Sequence, residues 1–162
     1  MKSMQAEPST LVPVLPQGCT NFKLRQLMRR VANHYDAEMA QCGLKTTQYS
    51  LLSHVLKLGP IRPVDLAVAM KMDASTLTRN LRPLVDAGWV TLEAGADARS
   101  RLVHITDTGR NKRAQAQRHW KAAQRALNEA LGVERVMALH ALVDESMDLL
   151  AALPVHEHGH AD

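Results

Sequence analysis

Apolar positions first become periodic at Cys19. From there Leu24, Leu27, Met28, Val31, Tyr35, Met39 and Cys42 recur at three- and four-residue steps, which predicts a helix with one inward stripe, and Gly43 supplies its stop. Thr46 or Thr47 can cap a second helix, residues 48–58, whose Leu51, Leu52, Val55 and Leu56 face inward until Gly59-Pro60 ends it. Pro63 suits the first turn of a third helix over residues 64–70, and Lys71-Met72 makes a tight turn. Asp73 then caps a fourth helix, because its carboxylate can accept the N–H of Ser75 or Thr76 and its charge suits the positive helix end; Gly88 closes it.

After Gly88 the period changes from helical to alternating. Residues 89–93 and 101–105 read as two short strands with Val90, Leu92, Val103 and Ile105 on the inner side. The stretch between them, residues 94–100, is too long for a two-residue hairpin turn and projects as a loop. Thr106 can cap a long fifth helix with Ala116, Trp120, Ala123, Leu127 and Leu131 on one face, interrupted at Gly132. In a sixth helix Val136, Leu139, Val143, Ser146, Leu150 and Leu153 form a seam resembling a heptad stripe, suited to packing against another helix, and Pro154 ends it.

These elements define a mainly α fold with a small two-stranded β wing: a winged helix-turn-helix plus a helical dimerisation lobe. Residues 1–18, aperiodic and containing Pro8, Pro13 and Pro16, form an extended N-terminal arm. Residues 19–46 and 106–153 form the dimerisation lobe, residues 47–105 the winged DNA-binding domain, and residues 154–162 a disordered tail. The terminal helices are too apolar to stand alone and are expected to pair across a dimer interface.

The fourth helix carries the candidate chemistry. On a helical wheel Leu77, Leu81, Leu84 and Val85 make the core face, while Ser75, Arg79, Arg82 and Asp86, flanked by Thr76 and Thr78, make the outer one. Hydroxyls and N-terminal N–H groups can bind phosphate, and an arginine one turn further on can take both acceptors of a guanine edge. Any amphipathic helix has a polar face; the preceding short helix, the turn and the following ribbon are what make this one a candidate groove reader. Pro83 removes the N–H that would bond the Arg79 carbonyl, so it either bends the helix or marks the end of its groove-facing part.

Composition supports this without deciding it. Aromatics are 3% of the chain and apolar residues 46%, a core of Leu, Val, Ala and Met that favours helices. The net charge of +4 is mildly basic, and residues 136–162 contain acidic residues but no Lys or Arg, so the cationic charge lies in the rest of the chain. Two cysteines are too few for a disulfide scaffold, and the Pro-interrupted N-terminus reads as neither signal peptide nor lipoprotein leader, so a cytoplasmic protein is expected with no membrane partner. No enzyme motif is present: there is no G-x-S-x-G, phosphate loop or H-E-x-x-H. His156, His158 and His160 with Glu157 fit no closed zinc pattern, so neither a metal nor another cofactor is expected.

The runs GLKTTQYSLLSHV, LAVAMKMDASTLTRNLRPLVDAGWV, DARSR and VHITDTG resemble, in that order, the MarR family of bacterial transcriptional regulators. The resemblance covers about residues 19–153. It implies a homodimer on a double-stranded DNA operator of pseudo-palindromic sequence, most often a repressor, released by a small aromatic or anionic ligand or by cysteine oxidation. DASTLTRNL resembles the recognition helix, so Ser75, Thr76, Thr78, Arg79 and Arg82 would face the major groove. Asp97-Ala98-Arg99 resembles the wing signature, in which Arg99 enters the minor groove and Asp97 orients it. The loop departs from the family in being poor in basic residues, with Glu93-Ala94-Gly95-Ala96 before Asp97.

The family's ligand pocket lies between the lobe and the winged unit, where Arg30, His34, Tyr35, Tyr49 and His54 could contribute, a cation with aromatic walls suiting an aromatic carboxylate. Ordinary packing or solvent exposure is the competing role for each. Cys19, at the start of the first helix, could serve a thiol-based redox-sensing regulator, or be a small residue at the dimer seam. A winged-helix module for protein–protein assembly is the alternative outside DNA binding, and the Arg-bearing outer face argues against it.

Overall fold

The structure, a computed structural model, describes residues 17–95 and 100–152. Helix α1 (Thr20–Met39) runs into a 3-10 turn (Ala40–Cys42) and stops at Gly43, whose φ of 68° is left-handed. Helices α2 (Thr46–Leu58), α3 (Pro63–Ala69) and α4 (Ala74–Asp86) follow, then strands β1 (Val90–Ala94) and β2 (Arg101–Ile105), then helices α5 (Asp107–Leu131) and α6 (Val133–Ala151).

The start of α2 corrects the expected cap. Lys45 occupies the capping position, and neither Thr46 nor Thr47 caps through its hydroxyl. Asp36 of α1 instead accepts both the Thr46 N–H (2.8 Å) and its hydroxyl (2.7 Å), while the Lys45 N–H donates to Gln48 Oε1 (2.8 Å). A carboxylate from a neighbouring helix satisfies a free donor at this helix start and ties α1 to α2 as well.

The inward leucines of three helices meet under the ribbon. Leu51, Leu52 and Val55 of α2, Leu66 of α3, and Leu77, Leu81 and Leu84 of α4 are buried together with Val90 and Val103. β1 and β2 are antiparallel with Val90 opposite Ile105 and Leu92 opposite Val103, the expected alternation; Leu92 and Ile105 are half-buried. Ile61, just before α3, exchanges backbone hydrogen bonds with Val103 (2.8 and 3.3 Å). This third strand-like contact lies outside the two strands read from the sequence.

The hydroxyl of Thr106 caps α5 as expected, accepting the Gly109 N–H at 3.0 Å. α5 packs along α1: the His34 ring donates to the Ala123 carbonyl (2.9 Å), the Tyr35 hydroxyl to Gln124, and His119 lies 3.1 Å from Glu38. The seam that the period of α6 suggests is only partly covered within one chain. Val136 is buried and Leu139 and Ser146 are half-buried, but Val143 and Leu150 are exposed; Leu153 lies outside the described residues.

Candidate nucleic-acid interface

Asp73 organises the start of α4. Its Oδ1 accepts the Thr76 N–H (2.7 Å) and the Ser75 hydroxyl, and its Oδ2 accepts the Thr76 hydroxyl (2.7 Å). The Ser75 bond, then those from Thr76, hold the carboxyl well below the usual carboxylate range. A folded-state pKa below the unfolded one means that Asp73 stabilises the helix start at pH above about 4 and loses that contribution as pH falls through the folded value. We expect an NMR titration to find the Asp73 carboxylate still ionised where free aspartate is half-protonated; a midpoint at the ordinary value would show that the cap is absent in solution.

The cap changes what the hydroxyls can offer. Ser75 and Thr76 give their protons to Asp73, and Thr78 gives its proton to the Ala74 carbonyl (2.8 Å). In this arrangement the three side chains offer acceptor oxygens. With the Thr76 N–H taken by Asp73, the N–H groups of Ala74 and Ser75 are the first-turn donors left for a phosphate.

One turn on, Arg79 is exposed, and among the described residues its side chain makes no hydrogen bond or ion pair. Arg82 is 84% exposed and lies 3.9 Å from Asp86, a loose surface pair of little energetic weight. Pro83 lies inside α4, which continues to Asp86, so the helix does not end there. The other face, with Leu77, Leu81 and Leu84 buried, fixes which way the arginines point.

A cleft of about 290 Å³ lies between α4 and the ribbon, with Thr78, Arg82 and Arg101 among its lining. Arg101, exposed at the start of β2, was not among the residues singled out from sequence; its place at the root of a wing was the available signal. At that root the Gly95 N–H donates to the Ser100 carbonyl (2.8 Å). Asp97 and Arg99 lie outside the described residues.

The structure brings together part of the candidate ligand set. Tyr49 stacks on Trp120 with ring centroids 6.1 Å apart, Tyr35 lies 6.5 Å from the same indole, and the Arg113 guanidinium sits 5.8 Å from the Tyr49 ring. Burial raises the Tyr35 phenol pKa. His34 reaches the edge of the Tyr35 ring (5.8 Å). Arg30 is exposed on α1, and His54 bonds the carbonyl of Ser50 in its own helix (2.8 Å), so neither is shown in this cluster. The cation and the indole beside the tyrosines come from α5, as Arg113 and Trp120.

Cys19 is exposed ahead of α1, whereas Cys42 is buried with its thiol on the Met39 carbonyl (3.1 Å). Among the described residues no three His, Cys, Asp or Glu side chains gather to hold a metal, and no helix is long and apolar enough to cross a membrane. His156, Glu157, His158 and His160 lie outside the described residues.

A capped helix with a cationic outer face, a short helix and turn before it and a β-ribbon after it define a winged helix-turn-helix protein. Comparison with known proteins shows which family the chain is similar to. The sequence model of the MarR family matches residues 43–100. An uncharacterized HTH-type transcriptional regulator of Bacillus subtilis, YwoH, is 28% identical over 90 residues, covering 56% of this chain and 66% of that protein. The multiple antibiotic resistance protein MarR of Salmonella typhimurium is 30% identical over 97 residues, covering 59% of this chain and 65% of that protein. The matches thus span just under two thirds of the length of these two relatives. The Mycobacterium tuberculosis transcriptional regulator MosR, solved in complex with DNA, is 28% identical over 80% of this chain and 98% of its own, with a TM-score of 0.65. The chain is similar to the MarR family in the sequence of residues 43–100 and in fold.

Proposed function

We propose that this chain is a sequence-specific DNA-binding transcriptional regulator and not an enzyme, acting in the cytoplasm as a homodimer on a pseudo-palindromic operator. The observation that carries the reading is α4: its leucine face is buried, and Arg79 and Arg82 stand exposed on successive turns beyond a capped N-terminus. In a two-fold dimer two such helices enter successive major grooves ~34–36 Å apart. Ser75, Thr76, Thr78, Arg79 and Arg82 then face the bases and phosphates, and Arg99, oriented by Asp97, reaches the flanking minor groove. DNA-bound MosR supports the reading by its likeness of fold.

The regulator acts as a repressor released by a small aromatic or anionic ligand. Tyr35, Tyr49 and Trp120 with Arg113, where α1, α2 and α5 meet, support this: they offer aromatic walls and a cation at the junction of lobe and winged unit. The exposure of Cys19 favours a second reading, a thiol switch, in which Cys19→Ser abolishes the response to oxidant.

Titration of the protein against DNA upstream of its own coding region tests the main reading: sub-micromolar binding to a palindrome there is expected, and none anywhere would overturn it. The salt dependence of that binding gives a further check. With Glu93 and Gly95 at the base of a wing poor in cations, log K should fall less steeply with log salt than about eight phosphate contacts require. A slope as steep as eight contacts would show that other cations replace the basic wing.

A further inference from the structure

The winged unit is attached to the lobe at two places of different character. At the first, α2 is held broadly: Asp36 takes the Thr46 N–H and hydroxyl, Arg113 Nε donates to the Ser53 hydroxyl (3.2 Å), and Tyr49 stacks on Trp120. At the second, the turn joining α4 to β1 meets the start of α5 through a few atoms. The Gly88 carbonyl accepts the hydroxyls of both Thr106 (2.7 Å) and Thr108 (3.0 Å), and the Trp89 carbonyl accepts the Thr106 N–H (3.1 Å).

The same turn carries the end of α4. The Gly88 N–H donates to Val85 and the Trp89 N–H to Leu84, both at 2.9 Å, so a displacement of Gly88 is passed to the last turn of that helix. On the other side, the Thr106 hydroxyl that donates to Gly88 also accepts the Gly109 N–H, which makes it the cap of α5. Gly109 is buried against this contact: a Cβ there would fall on the Trp89 carbonyl oxygen and 3.0 Å from Ile105 Cγ1. Lys112, one turn along α5, lies 5.2 Å from the Trp89 ring centroid. The negative end of α4 thus abuts the positive end of α5, an arrangement both helix dipoles favour.

Two attachments fix the orientation of a rigid unit; with one alone it can pivot. We infer that Thr106, Thr108 and Gly109 are positioning residues that clasp the α4–β1 turn to α5 and thereby set the separation of the two recognition helices, and with it the half-site spacing the protein accepts. The inference rests on the homodimeric DNA-binding reading for its consequence on spacing, but the clasp can be tested without DNA. Its parts have separate roles: Thr108 adds a hydroxyl without capping α5, Thr106 does both, and Gly109 permits the close approach.

The experiment uses the full-length protein with Cys19→Ser to remove the exposed thiol and Val68→Cys on α3, an exposed position, to carry a spin label. The label-to-label distance across the dimer is then measured in Thr108→Val and Gly109→Ala, which weaken the clasp, and in the conservative variant Thr108→Ser. Thr108→Val and Gly109→Ala should broaden the distribution, and Thr108→Ser should keep it narrow. On DNA, unlabelled Thr108→Val should lose about 3- to 10-fold of its preference for the best half-site spacing over spacings one base pair longer or shorter, on the scale of one hydrogen bond, while isolated half-sites bind as before. A distribution and a spacing preference that both stay unchanged while thermal stability falls would overturn the clasp, leaving these residues a merely structural part. Should Gly109→Ala fail to fold, Thr108→Val decides the question alone. If the unaltered protein binds no DNA, the regulator reading fails, and the distance measurement still decides the clasp.

Discussion

Val143→Asp should convert the protein to a monomer and abolish operator binding at concentrations that saturate the unaltered chain. Val143 lies in an open groove of about 550 Å³ between α1 and α6, lined also by Leu24, Leu27, Met28, Val31 and Leu139. Around it Phe22, Leu24, Met28, Met147 and Leu150 are each more than half exposed, and on α6 Val136 alone is buried. An apolar surface of this extent suits the interface of the proposed dimer, where a two-fold axis brings the same patch against its own copy. A single substitution therefore places two carboxylates in the interface. At about 3 kcal/mol per ion left without a partner, the dimer constant weakens by ~10⁴-fold. Each monomer keeps its buried winged core, so helix content measured by circular dichroism should be nearly unchanged. The measurement is the mass in solution by light scattering, together with operator affinity. A Val143→Asp protein that remains dimeric would show that this face is not the interface.

That face also shows how far the sequence could be read. The three-four period of Val136, Leu139 and Val143 marks a stripe suited to packing against another helix, and within one chain only Val136 of the three is buried. α4 was legible almost completely, because its cap, its leucine face and its closing glycine are all local signals, and the structure confirms each of them. Features built from distant residues were not legible. Asp36 replaces a threonine cap from ten positions away, Ile61 joins the ribbon through a backbone contact with Val103, and Trp120 and Arg113 complete the tyrosine cluster from a different helix. None of these leaves a pattern in its own segment. The use of the Ser75, Thr76 and Thr78 protons belongs to the same group: the hydroxyls were visible as candidates, and only the geometry shows that Asp73 and the Ala74 carbonyl engage their hydrogens.

Arg79→Ala should cost more operator affinity than Arg82→Ala, and the loss should fall on sequence preference. The two arginines are one turn apart on the same exposed face, but Arg82 shares its charge with Asp86 at 3.9 Å, and Arg79 has no such neighbour among the described residues. Arg79 also lies closer to the capped N-terminus, the end of a recognition helix that reaches base edges. A guanidinium bonded to both acceptors of a guanine contributes ~1–3 kcal/mol of discrimination, so Arg79→Ala should weaken operator binding by about 5- to 150-fold. Binding to random duplex should weaken only by the loss of one cation, visible as a slightly shallower salt slope. Arg79→Lys separates charge from geometry, since an ammonium restores the cation but not the planar pair of donors. It should recover most of the affinity for random DNA and little of the preference for the operator. Titrations of both variants against operator and random duplex at one salt concentration make the comparison. Equal losses on the two DNAs for Arg79→Ala would place this arginine on the phosphate backbone and leave base reading to other groups on the α4 face.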